Sequence, residues 1–596
     1  QIGVYTINNV RGFSPTTAGN LRIDGLYFDQ AGELNRRLTD RSTIRVGIAA
    51  QSYPFPAPTG IVDYRLRIPG SKLAASGSAG FADYFGPYFD VDLQIPLARE
   101  KLGVVVGFGA KDDEFPDGSH SHNKTIALLV DSRPFTNVRL RSFWTQMIER
   151  DVEAQPVLAI GGDWLPPQVR LRKYIGQTWE SNEHLITNGG LLADIDLAPG
   201  WTIRGGVFGS TVSDASNYAD LFLNVQPDGS AEHRIVADPR EGTRSTSGEL
   251  RLSRIMEDGP RKHMILAIVR GRQRDATFGG SDPVDLGQVN VLVPKPVAKP
   301  LFGFTDPNGD SVRQLTAGIA YEGYWKDVGQ IGIGVQKTRY RKVFTEPGSA
   351  PARSSDSPLL FYGTFEAKLS RRLAVFAGMT HGLEETGVAP DNASNRGQAL
   401  PAARTRQVDG GVSYAPTKSL QLVAAAFDVQ KPYFNLNSKN IYTALGNERH
   451  RGIEISATGA VTPRLNVVAG AVLLDARVTG QAVSEGRIGK RPVNSTPHIV
   501  RVSAEYFVPG LNGLSLDFGV DHDGRRVASP DNAIRLPART IFRAGVRYRF
   551  HIDRTHAQFR LLVDNITDHF SWALTNGGGF KVDVGRRVTG YLALDF

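Results

Sequence analysis

Two histidines, His120 and His122, stand in a Gly-Ser-His-Ser-His run shortly after Asp112, Asp113 and Glu114. Imidazole and carboxylate together suit zinc or copper, yet the same run of small polar residues suits a solvated outer loop, and the sequence assigns it no metal. Asp306, Asn308 and Asp310 alternate as in a calcium loop. Gly309 comes two places too early for that motif, however, and Ala317 stands where the bidentate glutamate belongs, so the segment reads as a turn. Cysteine is absent from all 596 residues, which removes thiolate nucleophiles, thiolate metal sites and disulfides together. There is no Gly-x-Ser-x-Gly elbow, no His-Glu-x-x-His pair and no phosphate-binding Gly-x-x-x-x-Gly-Lys-Ser/Thr loop. The expectation is a protein that is not an enzyme, with no catalytic residue, no metal ligand and no cofactor of its own.

The arginines carry more information. The chain has 69 Lys and Arg against 60 Asp and Glu, a net charge of +9; clustered, such an excess would suggest a nucleic-acid surface. Here the arginines are scattered, several at every second position. Residues 541–550 place Arg543, Gly545, Arg547 and Arg549 on one face of a strand, and Phe542, Ala544, Val546, Tyr548 and Phe550 on the other. An arginine facing lipid near the midplane costs about 2 to 4 kcal/mol, so that face must turn toward a polar lumen. The same alternation runs through Val588, Gly590, Leu592, Leu594 and Phe596. No apolar run approaches eighteen residues, which excludes helical spans and leaves a barrel as the way across a membrane.

The elements that must hold these faces follow from the connections. Short turns at 415–419, 461–464, 509–513 and 551–556 alternate with long polar stretches at about 382–404, 429–448, 477–497, 522–539 and 566–586. Further long stretches lie near 148–187, 211–243 and 272–312. Short inner turns and long outer loops are the asymmetry of outer-membrane barrels. Continued back to Ser71, the pattern predicts an all-β transmembrane barrel of about 22 antiparallel strands over 71–596, with both barrel ends on the inner side. Residues 1–70 have compact apolar runs instead and read as a small separate domain, placed inside a lumen wide enough to need filling.

Several segments then resemble a known family. Val10-Arg11-Gly12-Phe13 followed by Ile23-Asp24-Gly25-Leu26-Tyr27 is similar to the plug signature of TonB-dependent outer-membrane receptors. Thr59-Gly60-Ile61-Val62-Asp63-Tyr64 resembles the strand that leaves the plug. In the barrel, Arg449-His450-Arg451-Gly452-Ile453-Glu454, Gly489-Lys490-Arg491-Pro492-Val493-Asn494 and Leu562-Val563-Asp564-Asn565-Ile566-Thr567-Asp568 resemble further family segments, the first two most like the siderophore-receptor branch. Ile44-Arg45-Val46-Gly47-Ile48-Ala49-Ala50 departs from the family's Leu-Arg-Gly-Pro turn. On this resemblance the chain begins partway through the plug, and the TonB box and a secretion leader are expected before Gln1.

The resemblance implies a monomer in the bacterial outer membrane, among lipid and lipopolysaccharide, importing a ferric siderophore with energy from TonB, ExbB and ExbD. Iron would enter only as cargo, and nucleic acid would be no partner. A different nutrient (a vitamin, an oligosaccharide or an aromatic acid) and a passive substrate-specific porin are the alternatives. By position the resemblance implies ligand contacts at Arg11, Tyr27, Phe28, Gln51 and Tyr53, since an Arg fork and phenolic donors suit an oxygen-rich anionic ligand. Each has a structural alternative: Arg11 pairing with a plug carboxylate, the others packing in the plug. Tyr53-Pro54-Phe55-Pro56, stiffened by its prolines, either presents Tyr53 and Phe55 to ligand or braces against the barrel wall. Tyr433, after Pro432, is a further ligand contact or part of an aromatic girdle.

Overall fold

A computed structural model describes residues 3–51, 53–98, 100–390, 393–575 and 577–596. Its wall is a closed barrel of 22 antiparallel strands, from Ala74–Ala82 to Arg587–Asp595. Closure is made by the first and last strands, with Gly590 to Asp595 laddered against Phe81 to Ser76. This leaves the wall no free edge, as lipid requires of a spanning sheet. The alternation predicted for 541–550 holds in strand Arg539–Ile552: Phe542, Val546 and Tyr548 are exposed on the outer face. Arg543 turns inward to Asp521 at 2.5 Å, and Arg547 to Glu505 and Asp517 at 3.2 Å each. Arg560 joins Asp517 at 2.9 Å and Arg501 joins Asp523 at 2.6 Å. The luminal arginines are therefore largely absorbed by carboxylates of neighbouring strands.

Inside the barrel lies a four-stranded sheet in the order β2-β1-β4-β3, made of β1 (Leu21–Ile23), β2 (Leu26–Phe28), β3 (Thr39–Arg45) and β4 (Ile61–Leu66). β1 and β2 are joined through Asp24 and Gly25, at φ 48° and 83°. That is the Asp-Gly pair a two-residue hairpin demands. β4 is central, parallel to β1 and antiparallel to β3. Leu21, Ile23, Leu26, Phe28, Val62 and Leu66 pack with Val105, Leu129, Phe143, Leu192 and Phe208 of the wall, so this small domain shares its core with the barrel. Where the family has its Leu-Arg-Gly-Pro turn, the chain makes the short 3-10 turn Gly47–Ala50.

The short turns fall as expected, between Tyr414 and Leu420, Thr462 and Leu465, Phe507 and Leu514, and Ile552 and Thr555. Several outer segments expected as loops are instead strand. Trp201–Val225 runs unbroken for 25 residues, where about 9 to 11 suffice to cross a membrane, and Ser230–Asp238 pairs back on it, replacing the loop expected at 211–243. Leu420–Leu436 and Tyr442–Thr462 likewise pair through most of 429–448. Val157–Ile160 and Asp282–Asn290 lie within two other expected loops. The reason is that above the membrane lipid no longer enforces the pattern: in Ser230–Asp238 the buried face, Ala231, His233, Ile235 and Ala237, is set by packing within the outer cap instead. Trp201–Val225, Ser230–Asp238, Val157–Ile160 and Asp282–Asn290 join Trp572–Leu574 and Phe580–Val582 in an outer sheet, over a core that includes Leu158, Val169, Ile175, Phe222, Trp572 and Phe580.

Candidate functional site

Among the polar contacts that fix the plug to the wall, two bands stand out in the described residues, besides the pairs of Arg37 and Arg67 with Asp92, and the inner band begins at a strained turn. Arg11 and Gly12 both adopt positive φ, 54° and 85°, a conformation ordinary residues avoid. A Cβ on Gly12 would stand 2.6 Å from the His450 ring, so glycine is required there by space as well. The turn drives the Arg11 guanidinium into the wall, 2.8 Å from Asp409 and 2.9 Å from Glu454, over the Phe427 ring at 4.6 Å. Tyr5 donates its hydroxyl to the same Glu454. His450 stacks on Phe13 at 4.0 Å, with Nδ1 2.9 Å from the Arg11 carbonyl oxygen. Two separate family-like segments, Val10 to Phe13 and Arg449 to Glu454, thus form one lock. The Asp24-Gly25 hairpin is held by another sector of the wall: Arg141 pairs with Asp24, and Arg204 and Arg251 donate to the carbonyl oxygens of Asp24 and Gly25 at 3.0 and 2.5 Å.

The second band lies at the outer face of the plug. Asp29 accepts from Arg272 at 2.8 Å and from the Ser245 hydroxyl at 2.6 Å, while its own N–H donates to Ser247 at 2.9 Å. Arg272 also reaches Glu385 at 2.9 Å, and Glu385 pairs with Lys342 at 3.0 Å. Lys342 in turn meets Asp310 at 2.7 Å. Arg274 donates to the Gln30 carbonyl oxygen at 3.0 Å, and the Ala31 N–H to Ser210 at 2.8 Å. A charged cavity of about 510 Å³ is lined by the plug segment from Glu33 to Arg37 and by wall residues that include Asp90, Lys111, Glu149 and Tyr591, with Arg37 tied to Asp90 at 3.5 Å and to Asp92 at 2.9 Å.

Of the residues expected to touch ligand, six are enclosed. Arg11, Tyr27, Phe28, Gln51, Tyr53 and Phe55 are each 9% exposed or less. Arg11 is spent on wall carboxylates, where the sequence offered only a plug partner as the alternative. Tyr27 lies under the guanidinium groups of Arg22 and Arg270 at 5.0 and 5.4 Å, and Phe28 belongs to the plug core. Gln51 donates to the Ala377 carbonyl oxygen at 3.3 Å, and Tyr53 to that of Gly25 at 3.3 Å. Phe55 braces on Leu266, Ile268, Ala320 and Tyr362 of the wall. Burial follows from the plug's size: so small a domain completes its core only with the wall around it, so its aromatics turn outward into that wall. Tyr433 differs. It is half-buried near the outer end of its strand, accepting from Asn435 at 3.0 Å, on the face that presents Phe427 and Lys431 to the plug.

His120 and His122 do not converge. They begin strand His120–Phe135 rather than lying in a loop, and contact Glu153 at 3.3 Å and Asp112 at 2.7 Å respectively. Asn308 and Asp310 open strand Asn308–Trp325. The outer band of Asp29, Arg272, Arg274, Lys342 and Glu385 was missed in the sequence. Its signal was present in Arg270, Arg272 and Arg274, one inward face of one strand, whereas the partners come from distant strands.

A closed barrel with a small domain locked in its lumen defines a class of outer-membrane receptor, and the chain belongs to the family described as TonB dependent receptor-like, beta-barrel, whose model matches residues 155–566. The ferrichrome receptor FcuA of Yersinia enterocolitica is 23% identical over 469 residues, covering 74% of this chain and 60% of that relative. The chain therefore spans about three fifths of that relative's length. The ferrichrome outer membrane transporter and phage receptor of Escherichia coli K12 is 27% identical over 180 residues, covering 29% of this chain and 24% of its own length. Among solved structures, the ferric preacinetobactin receptor BauA of Acinetobacter baumannii superposes with a TM-score of 0.86 at 17% identity, over 98% of this chain and 90% of that one. These relatives are transport receptors rather than enzymes, and their shared fold places the barrel in the bacterial outer membrane.

Proposed function

We propose that the protein is a TonB-dependent outer-membrane importer of a ferric siderophore, with residues 1–70 as the plug and 71–596 as the wall. It works as a monomer among lipid and lipopolysaccharide, and draws energy from TonB with ExbB and ExbD. The observation that carries this reading is the plug itself, clamped to separate sectors of the wall through Arg11 and through Asp29. A passive porin gives such a lock no purpose. The names of the ferrichrome-receptor relatives favour a siderophore over a vitamin, sugar or aromatic acid.

In this mechanism the ligand settles on the outer face of the plug, with Tyr433 and the partly exposed Arg274 as its first contacts and the enclosed Arg272 and Lys342 reached only as the band opens. Anionic oxygens on the ligand compete with Asp29 and Glu385 for the same guanidinium and ammonium donors, because charge-assisted bonds of equal geometry exchange at little net cost. Each exchange removes one tether of the outer band and biases the plug toward release. The buried residues Arg11, Tyr27, Phe28, Gln51, Tyr53 and Phe55 serve as anchors that yield only when force is applied from the inner side. The test is uptake of radioactive iron presented as a panel of ferric siderophores, in cells with and without the gene, each with TonB intact or deleted. Uptake that needs both gene and TonB supports the reading; a complete panel with no gene-dependent uptake overturns the siderophore assignment.

A further inference from the structure

The outer cap contains a second polar centre, remote from the plug in sequence and unused by the transport mechanism. Glu180 closes the segment before strand Ser181–Ala198, Asp220 lies on Trp201–Val225, and His233 lies on the strand Ser230–Asp238 that pairs with it. The ladder sets Phe222 opposite His233, so Asp220, two residues earlier, shares that face. The His233 ring stacks on Phe222 at 4.4 Å, with Nε2 2.7 Å from Asp220 Oδ1. Glu180 is fixed by its backbone: its N–H donates to the Gln177 carbonyl oxygen and its carbonyl oxygen accepts from the Ala154 N–H, both at 2.9 Å. One ligand atom from each side chain lies within 4.8 Å of the other two.

The decisive feature is what these groups lack. Glu180 and Asp220 are fully buried and His233 is 2% exposed, yet both carboxylate oxygens of Glu180 and Oδ2 of Asp220 have no hydrogen-bond partner among the described residues. The backbone approaches closely as well: a Cβ on Gly176 would stand 2.4 Å from Asp220 Oδ2 and 2.5 Å from the Tyr174 hydroxyl. A buried carboxylate with both oxygens unpaired, as at Glu180, is among the costliest arrangements a fold can hold. Among the described residues no Lys or Arg forms an ion pair with Glu180 or Asp220; the partner of Asp220 is His233.

We propose that Glu180, Asp220 and His233 bind a divalent first-row cation of the zinc class, which ties three segments of the outer cap together. One imidazole nitrogen and two carboxylates are a zinc-type donor set with a fourth position left for water. Ligand atoms around a tetrahedral zinc stand about 3.3 Å apart, so side-chain shifts of about an ångström close the triad on the ion. His233 Nε2 then gives its lone pair to the metal in place of its contact with Asp220 Oδ1, the neutral ring carrying its proton on Nδ1. The site depends neither on the lumen nor on the identity of the cargo.

The test uses the full chain, purified in detergent without a polyhistidine tag, stripped with chelator and equilibrated with Zn(II), Mn(II) or Ca(II). The expected result is one zinc retained per chain, in an oxygen- and imidazole-containing shell by X-ray absorption. Glu180→Gln with His233→Gln should weaken zinc binding by at least about a hundredfold, beyond what loss of an outer-shell partner does, while H120A with H122A should leave it unchanged. A wild-type chain that retains no zinc, prefers calcium, or keeps its zinc in the Glu180→Gln, His233→Gln variant overturns the proposal. The wild-type measurements do so whether or not the variants fold.

Discussion

Arg11 is held between two wall carboxylates at hydrogen-bond distance and is almost wholly buried, so its removal leaves Asp409 and Glu454 facing each other uncompensated. Breaking a buried pair from one side costs about 3 to 5 kcal/mol. Arg11→Ala should therefore raise amide exchange in β1 and β4 by about two to three powers of ten, read by mass spectrometry on the detergent-solubilised barrel. Unchanged plug exchange would show that the lock does not hold the plug. Gly12→Ala should act in the same direction through a different cause, backbone strain worth about 1 to 3 kcal/mol together with the approach to His450. Measured against His450→Ala alone, which itself loses the Phe13 stack and the Arg11 carbonyl contact, Gly12→Ala should cost less than in the native background, the remainder being the part due to φ. At this scale the sequence spoke through its motifs: the Arg-Gly-Phe turn and the Arg-Gly-Ile-Glu strand were visible as separate resemblances. That they touch was not, because some 440 residues separate Arg11 from Glu454 and nothing local marks an ion pair across a lumen. The burial of Tyr53 and Phe55 was equally hidden, since an aromatic loop on a plug is apolar whether it faces ligand or wall.

A barrel strand is defined by which of its two faces meets lipid, and the strand Arg539–Ile552 makes that explicit. Val546 is exposed on the outer face while Arg547 beside it is paired inside. Val546→Arg should destabilise the barrel by about 2 to 4 kcal/mol, measured by urea titration in lipid vesicles, whereas Arg547→Gln, on the luminal side, should cost less than half as much. Equal losses at the two positions would contradict the assignment of faces. Such strands were legible because lipid enforces the alternation. Above the membrane that constraint lapses, which is why the extensions of Trp201–Val225, Leu420–Leu436 and Tyr442–Thr462 read as loops. The backbone goes on pairing there because its donors and acceptors find partners in register without help from side-chain polarity. The turns at the other end were well placed, since Pro, Gly and polar clusters interrupt the alternation abruptly.

For the molecule as a whole, the wall and the plug are opposites in construction. The barrel is closed by its own ladder and has no edge, while the plug is a four-stranded sheet whose core is completed by wall side chains. A domain this small buries too little surface to be strongly stable alone, so the plug is expected to be the part that yields. Both bands are built on enclosed ion pairs, Arg11 in the inner one and Asp29, Arg272 and Lys342 in the outer one, but the outer band also has partly exposed members, Arg274 and Glu385, which an anionic ligand would reach first on the proposed mechanism. This arrangement suits sequential release, first by ligand and then by force. The claim on which the account rests is that the plug alone closes the lumen, and the direct measurement is single-channel conductance in a planar bilayer, for the full chain and for a chain lacking residues 1–70. The full chain should show little stable current and the deletion a large, steady conductance; equal conductance from the two would contradict the assignment of those residues as the gate.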